Sequence, residues 1–137
     1  MVVGSVPPRS STAKLSNTFR PLADIRPYAI WDGVTARVVN GDRMTLASVD
    51  LGPNVAVPEH HHENEQLGFV IRGTLRFTVA GETRELHAGD TYVIPSDVLH
   101  DVVAGPEGCT VVDVFAPIRA DWEKLPRPDP FPPDWPR

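Results

Sequence analysis

The sequence predicts an all-β fold, a barrel or sandwich of short antiparallel strands. Three observations point there. Short β-type runs recur through the middle of the chain, and turn residues separate them every roughly 6 to 12 residues, the spacing of a β sandwich or barrel. No amphipathic helix of useful length competes; the best helical stretch is a single turn near Ala120–Lys124.

Taken in order, residues 1–18 read as a flexible arm. Their Ser, Pro and Gly content buries too little surface to offset the entropy of ordering. From Ala29 the pattern turns to β-type runs. Val34–Val39 and Arg43–Leu51 flank Asn40-Gly41, a hairpin signal because both residues tolerate positive φ. Val55–His62 reads as a strand with an edge or bulge at Pro58. Gln66–Arg72, Leu75–Val79, Thr83–Leu86, Thr91–Ile94, His100–Ala104 and Thr110–Phe115 follow, separated by Gly73, Ala80-Gly81, Gly89-Asp90, Pro95-Ser96-Asp97 and Gly105–Gly108. About nine strands result, forming one domain over residues 19–117.

The last 21 residues hold seven prolines, so they join neither a sheet interior nor a helix. Residues 118–137 therefore read as a tail or an extended strap, with Phe131 and Trp135 as anchors on the barrel or on a second subunit.

Bulk properties narrow the function classes. The 137 residues carry 13 Lys+Arg against 18 Asp+Glu, a net charge of −5 with no basic stripe, which argues against nucleic acid as a partner. Apolar runs fall short of a membrane span. Cys109 is the only cysteine, so it forms no internal disulfide or thiolate cluster and reads as a packed thiol. Met1–Lys14 lacks the apolar stretch of a secretory signal, and a cytoplasmic location is the expectation.

The chemistry-bearing residues are His60, His62, Gln66 and a distant His100. Two histidines spaced two apart on a strand share a face, which turns His61 away. Neutral imidazole and amide donors suit one divalent first-row metal ion: Zn, Ni, Mn or Fe. His61 and His87 lie off this pattern and read as surface residues. Downstream, Asp113 and Phe115 alternate onto one face of the last strand. If that face is interior, desolvation raises the Asp113 pKa towards a useful acid/base value. Arg119 stands where it could clamp a carboxylate; the plainer alternative is a structural ion pair between Asp113 and an arginine such as Arg119.

The spacing His60-x-His62, three residues, Gln66, six residues, Gly73, followed by Gly89, five residues, Pro95-Ser96-Asp97, two residues, His100, resembles the two motifs of the cupins. The resemblance covers roughly residues 33 to 116 and implies a double-stranded β-helix, or jelly-roll-like, barrel. It departs from the family pattern in three places: Gln66 replaces the usual Glu, Asp97 the usual Gly and Ala104 the usual Asn. Asp tolerates the left-handed conformation a Gly would supply, and a neutral Gln leaves a bound ion fully dipositive.

The ending Asp113-x-Phe115-x-Pro117-x-Arg119 further resembles cupins that linearise unsaturated uronates from pectin and alginate breakdown. In that family an Asp, a Phe and an Arg at this spacing line the substrate. The resemblance implies an enzyme rearranging a small oxygen-rich molecule, with Asp113, Phe115 and Arg119 in catalysis and Tyr92 as a further lining or core residue. A homodimer is the expectation, because an edge strand of such a barrel needs cover. An Fe(II)-dependent dioxygenase and a non-catalytic binding or sensing module are the alternatives.

Overall fold

The computed structural model describes residues 18–136, so the predicted N-terminal arm lies almost wholly outside the described residues. Eight strands appear: β1 (Tyr28–Trp31), β2 (Val34–Asn40), β3 (Thr45–Leu51), β4 (Ala56–His60), β5 (Glu65–Val79), β6 (Glu82–His87), β7 (Thr91–Ile94) and β8 (His100–Ala116). All pairings are antiparallel, in the order β1-β2-β3-β8-β5-β6, with β4 on β8 and β7 on β5. The jelly-roll-like barrel arises because β5 and β8 are long enough to serve two sheets. Residues 109–116 of β8 lie between β3 and the first half of β5, whereas residues 100–104 lie between β4 and its second half.

This is where the count of nine strands needs correcting. Gly73 and Gly105–Gly108 bend strands rather than ending them, and four predicted strands merge into two. Gly73 and Gly108 both adopt positive φ (76° and 74°) and meet where the two long strands change sheet. A Cβ on Gly73 would drive into the Gly108 carbonyl, so glycine is what lets the strands cross closely there. One strand escaped the sequence reading: β1 is only four residues long and lacks clean alternation.

Turn chemistry sets the remaining registers. Ala80 and Gly81, at φ 51° and 81°, make the tight β5–β6 hairpin. The hairpin at Asn40-Gly41 is wider than predicted. Asn40 pairs with Thr45, β3 starts two residues late, and Gly41 N–H donates to the Met44 carbonyl at 2.9 Å. The Thr45 hydroxyl donates to Asn40 Oδ1, fastening the loop base. Pro58 coincides with a register shift between Val57 and His60, since proline has no N–H to give the ladder. His62 therefore lies just beyond β4 rather than within it.

The core fills the space between the sheets with Val34, Val49, Leu51, Val70, Leu75 and Ile94, among others. Outside it, the C-terminal segment returns along the same chain's barrel. Ala29 N–H donates to the Pro126 carbonyl at 2.8 Å, and Arg26 donates to the carbonyls of Arg127 and Pro128 at 2.7 and 2.9 Å. Arg37 reaches the Phe131 carbonyl and lies 4.9 Å from its ring centroid. Arg72 pairs with Asp134 at 3.2 Å. Phe131 thus covers Arg37, which is 1% exposed and faces Asp50 across 3.4 Å. Trp135 stays well exposed. The short turn at Ala120–Lys124 forms as a 3-10 turn and buries Trp122.

Candidate metal centre and substrate cavity

His60 closes β4 directly opposite His100, which opens β8, and their ring centroids stand 4.2 Å apart. His62 follows one step beyond β4, 4.9 Å from His100 between centroids. One ring nitrogen from each of the three histidines lies within 4.8 Å of the other two. Gln66, on β5 opposite Phe115, brings its side-chain oxygen to 3.2 Å from His62 Nε2.

Hydrogen bonding decides which nitrogen is available. Nδ1 of His60, His62 and His100 faces the backbone carbonyls of Pro58, Asn64 and Val98 at 2.8, 2.9 and 2.8 Å. A carbonyl only accepts, so each Nδ1 carries the proton and each neutral Nε2 keeps a bare lone pair. Burial lowers the pKa of His62, and it pushes His100 down to about 4, which favours the neutral ligating form. His62 Nε2 and Gln66 Oε1 are then two acceptors facing one another. The donor set fits a divalent first-row cation, with carbonyl partners fixing each imidazole from behind. His61 and His87 sit on the surface beside Asp97 and Glu85, as their positions off the motif imply.

Beside these donors opens a cavity of about 380 Å³, within the range of small-molecule sites. Asp113 and Phe115 both point inward from β8 and are buried. Tyr92 O–H donates to Asp113 Oδ1, and Gln66 is a second partner of that carboxylate. Desolvation nevertheless dominates and raises the Asp113 pKa to about 6. The geometry replaces one sequence-level alternative: Arg119 does not pair with Asp113. Its Nε and Nη2 donate to Asp121 at 3.1 and 3.0 Å, and its guanidinium stacks 4.8 Å from the Phe115 centroid and 4.2 Å from that of Trp122.

Four contributors escaped the sequence reading or were undervalued by it. Tyr92 is a lining residue as well as a core one. Gly68 lies between Asp113 and Tyr92 in register, and a Cβ there would collide with both, so its bareness is what admits the Tyr92–Asp113 hydrogen bond. Asn64 joins the histidine motif to the arginine: its backbone carbonyl holds His62, while its Nδ2 donates to the carbonyls of Pro117 and Ile118 at 2.6 and 3.2 Å. Asp121 occupies the arginine fork. Asp97, at φ 61°, bears out its reading as a left-handed substitute for Gly. Cys109 is fully buried and its thiol is pushed up to about 12, a packed and unreactive group.

Comparison with known proteins agrees with this geometry. The family model described as a cupin domain matches residues 47–115, just over half of the chain. The pectin degradation protein KdgF of Dickeya dadantii is 29% identical over 93 residues, covering 66% of this chain and 84% of that protein. The dimethylsulfoniopropionate lyase DddW of Ruegeria pomeroyi is 33% identical over 73 residues, 53% of this chain and 48% of the lyase, so the match spans about half of that relative. Among solved structures, KdgF from Halomonas sp. superposes with a TM-score of 0.65 at 28% identity, covering 69% of this chain and 88% of that one.

Proposed function

The chain belongs to the cupin family, and from that premise we propose a divalent-metal-dependent enzyme that rearranges a small oxygen-rich substrate bearing a carboxylate. Ring opening or isomerisation of an unsaturated uronate is the named reaction. One observation carries the metal: one ring nitrogen from each of three histidines converges, the Gln66 oxygen lies against His62 Nε2, and every Nδ1 already faces a carbonyl. The likeness to two proteins named KdgF, one of them a pectin degradation protein, supports the substrate class.

A bound Zn, Ni, Mn or Fe ion would supply Lewis-acid polarisation of a substrate oxygen. The remaining work falls to the chain. With its pKa raised to about 6, Asp113 exchanges a proton with substrate near neutral pH, and the Tyr92 hydroxyl holds the reacting carboxylate in place. Phe115 gives the substrate a flat apolar wall. Arg119 aligns the carboxylate with two parallel hydrogen bonds.

The test begins with chelator-treated protein reloaded with each ion in turn, measuring metal content, oxygen uptake and consumption of an unsaturated uronate. Turnover without oxygen uptake is expected. Uptake coupled to turnover would establish the Fe(II) dioxygenase instead. Metal and ligand binding with no turnover, unchanged in Asp113→Asn, would establish a binding module.

Two further assignments go with this reading. A cytoplasmic location is the first, and no helix among the described residues is long and apolar enough to cross a membrane. A homodimer is supported by the outer face of the sheet rather than by an open edge. Val39, Leu46, Val114, Leu67 and Val93 are successive register partners across five strands. They form an uncharged row about 19 Å long, flanked by Val112 and Phe69. Such a face suits a second, similarly flat copy, packed sheet against sheet. Leu67→Lys should convert the dimer to monomer in light scattering; a monomeric wild type would remove this assignment.

A further inference from the structure

Arg119 is held rigidly. Its backbone N–H donates to Thr45 Oγ1 at 2.9 Å, and its guanidinium is wedged between Phe115 and Trp122 with 9% of the residue exposed. Asp121 differs in kind. It lies on the short 3-10 turn, its side chain is 63% exposed, and its carboxylate accepts from Arg119 and from its own backbone N–H. Both residues line the cavity. The three histidines line the same cavity, so a carboxylate bound at the fork would face the space they border.

The fork is therefore taken by an exposed carboxylate of the chain itself, in the bidentate arrangement that a uronate carboxylate would need. Resting on the reading above, in which Arg119 clamps the substrate, we propose that Asp121 is an internal stand-in for the substrate carboxylate. It neutralises the enclosed guanidinium while the cavity is empty and is displaced when an anionic ligand enters. Neutral sugars cannot make this exchange, because they offer nothing to compensate the guanidinium once Asp121 leaves. Asp121 thereby weakens the apparent affinity for acidic ligands in proportion to the time it spends on the fork, and leaves neutral sugars, which do not displace it, unaffected.

The magnitude follows from the exposure of the pair. Asp121 is largely exposed, so solvent weakens its pairing with the enclosed guanidinium, and its removal should tighten carboxylate binding by roughly two- to fivefold. The probes are D-galacturonate and its uncharged counterpart D-galactose, titrated calorimetrically into the full-length protein. Asp121→Asn and Asp121→Ala should each bind galacturonate two- to fivefold more tightly than wild type and bind galactose unchanged. Two substitutions are used because Asn retains one acceptor for Arg119 and Ala retains none, so the gain should be larger for Ala. Equal or weaker galacturonate binding in both folded variants would overturn the proposal and make Asp121 a residue that orients Arg119. Glu59→Gln removes another acidic group from the cavity lining; the same gain there would reduce the effect to general charge and also overturn it. Arg119→Lys separates the two levels of inference. If Lys binds galacturonate as well as Arg does, the clamp reading fails, whereas loss of binding in Arg119→Lys with no gain in the Asp121 variants sinks only the stand-in.

Discussion

Strands β5 and β8 carry opposite residue patterns on their two faces. Inward, the second half of β8 presents Asp113 and Phe115, and neighbouring β5 presents Gln66 and a bare Gly68; outward, the same strands present Val112, Val114, Leu67 and Phe69. An ordinary half-solvated sheet does the reverse, apolar inside and polar outside. The inversion is partial, because the far end of the barrel fills with Val70, Leu75 and Val111. Polar groups inside, backed by hydrogen bonds to one another, form the site of the proposed chemistry, and apolar groups outside form the face proposed for a second copy.

The outer face is itself divided. One half carries Arg37, Asp50, Thr110 and Arg72, knitted together by hydrogen bonds and roofed by the C-terminal segment. The other half carries only the apolar row. The chain covers its own polar half because charged groups need partners, and it leaves bare the half that any flat apolar surface can cover.

The largest expected effect breaks the inner face alone. His100→Ala removes a ligand already oriented by Val98, and metal affinity should fall by more than about 100-fold, beyond what losing a supporting contact costs. Metal content by elemental analysis should drop from one equivalent to near none, while the oligomeric state stays as in wild type. A loss of both would mean that the two faces are not independent.

Next comes the covered outer half. Asp50→Ala leaves the guanidinium of Arg37, 1% exposed, without its carboxylate, and should destabilise the fold by about 3 kcal/mol. Urea unfolding measures it. Arg37→Leu combined with Asp50→Ala should recover most of the loss, since no stranded charge remains. A smaller effect is expected at Gly68→Ala, where the added methyl presses on Tyr92 and Asp113; overpacking should cost about 1–3 kcal/mol. Turnover should fall much further than stability, because the displaced groups are those assigned to proton transfer.

These cases show what the sequence made readable. Strand-type runs, turn residues and the spacing of His60, His62, Gln66 and His100 follow from local periodicity and short-range geometry, which one chain displays directly. Simple alternation put Asp113 and Phe115 on one face, and the barrel makes that face the inner one. The joining of strands through Gly73 and Gly108 was hidden, because a glycine that bends a strand and one that ends it look alike until its neighbours are known. Gly68 and Asn64 were hidden for a related reason, as was the bond from Tyr92 to Asp113: each acts between segments distant in sequence. Arg119 was singled out correctly as a cavity residue, but Asp121, two positions on, was not, because a single 3-10 turn leaves no periodic signature.

Asn64 supplies the finest test of whether the histidine cluster and the arginine clamp are separable parts of the inner face. Its two roles use different atoms: the backbone carbonyl supports His62, and the side-chain amide holds the carbonyls of Pro117 and Ile118, just before Arg119. Asn64→Ala deletes only the second. Removing donors from two carbonyls at this part-buried site should loosen the approach to Arg119 by about 1 kcal/mol. Expressed in kinetics, that is about a fivefold rise in KM for an acidic substrate with kcat little changed. Metal content should hold at the wild-type value, since the carbonyl behind His62 remains. If metal were lost together with KM, the 117–119 segment would be supporting the histidines too, and the clamp and the metal centre would have to be treated as one unit.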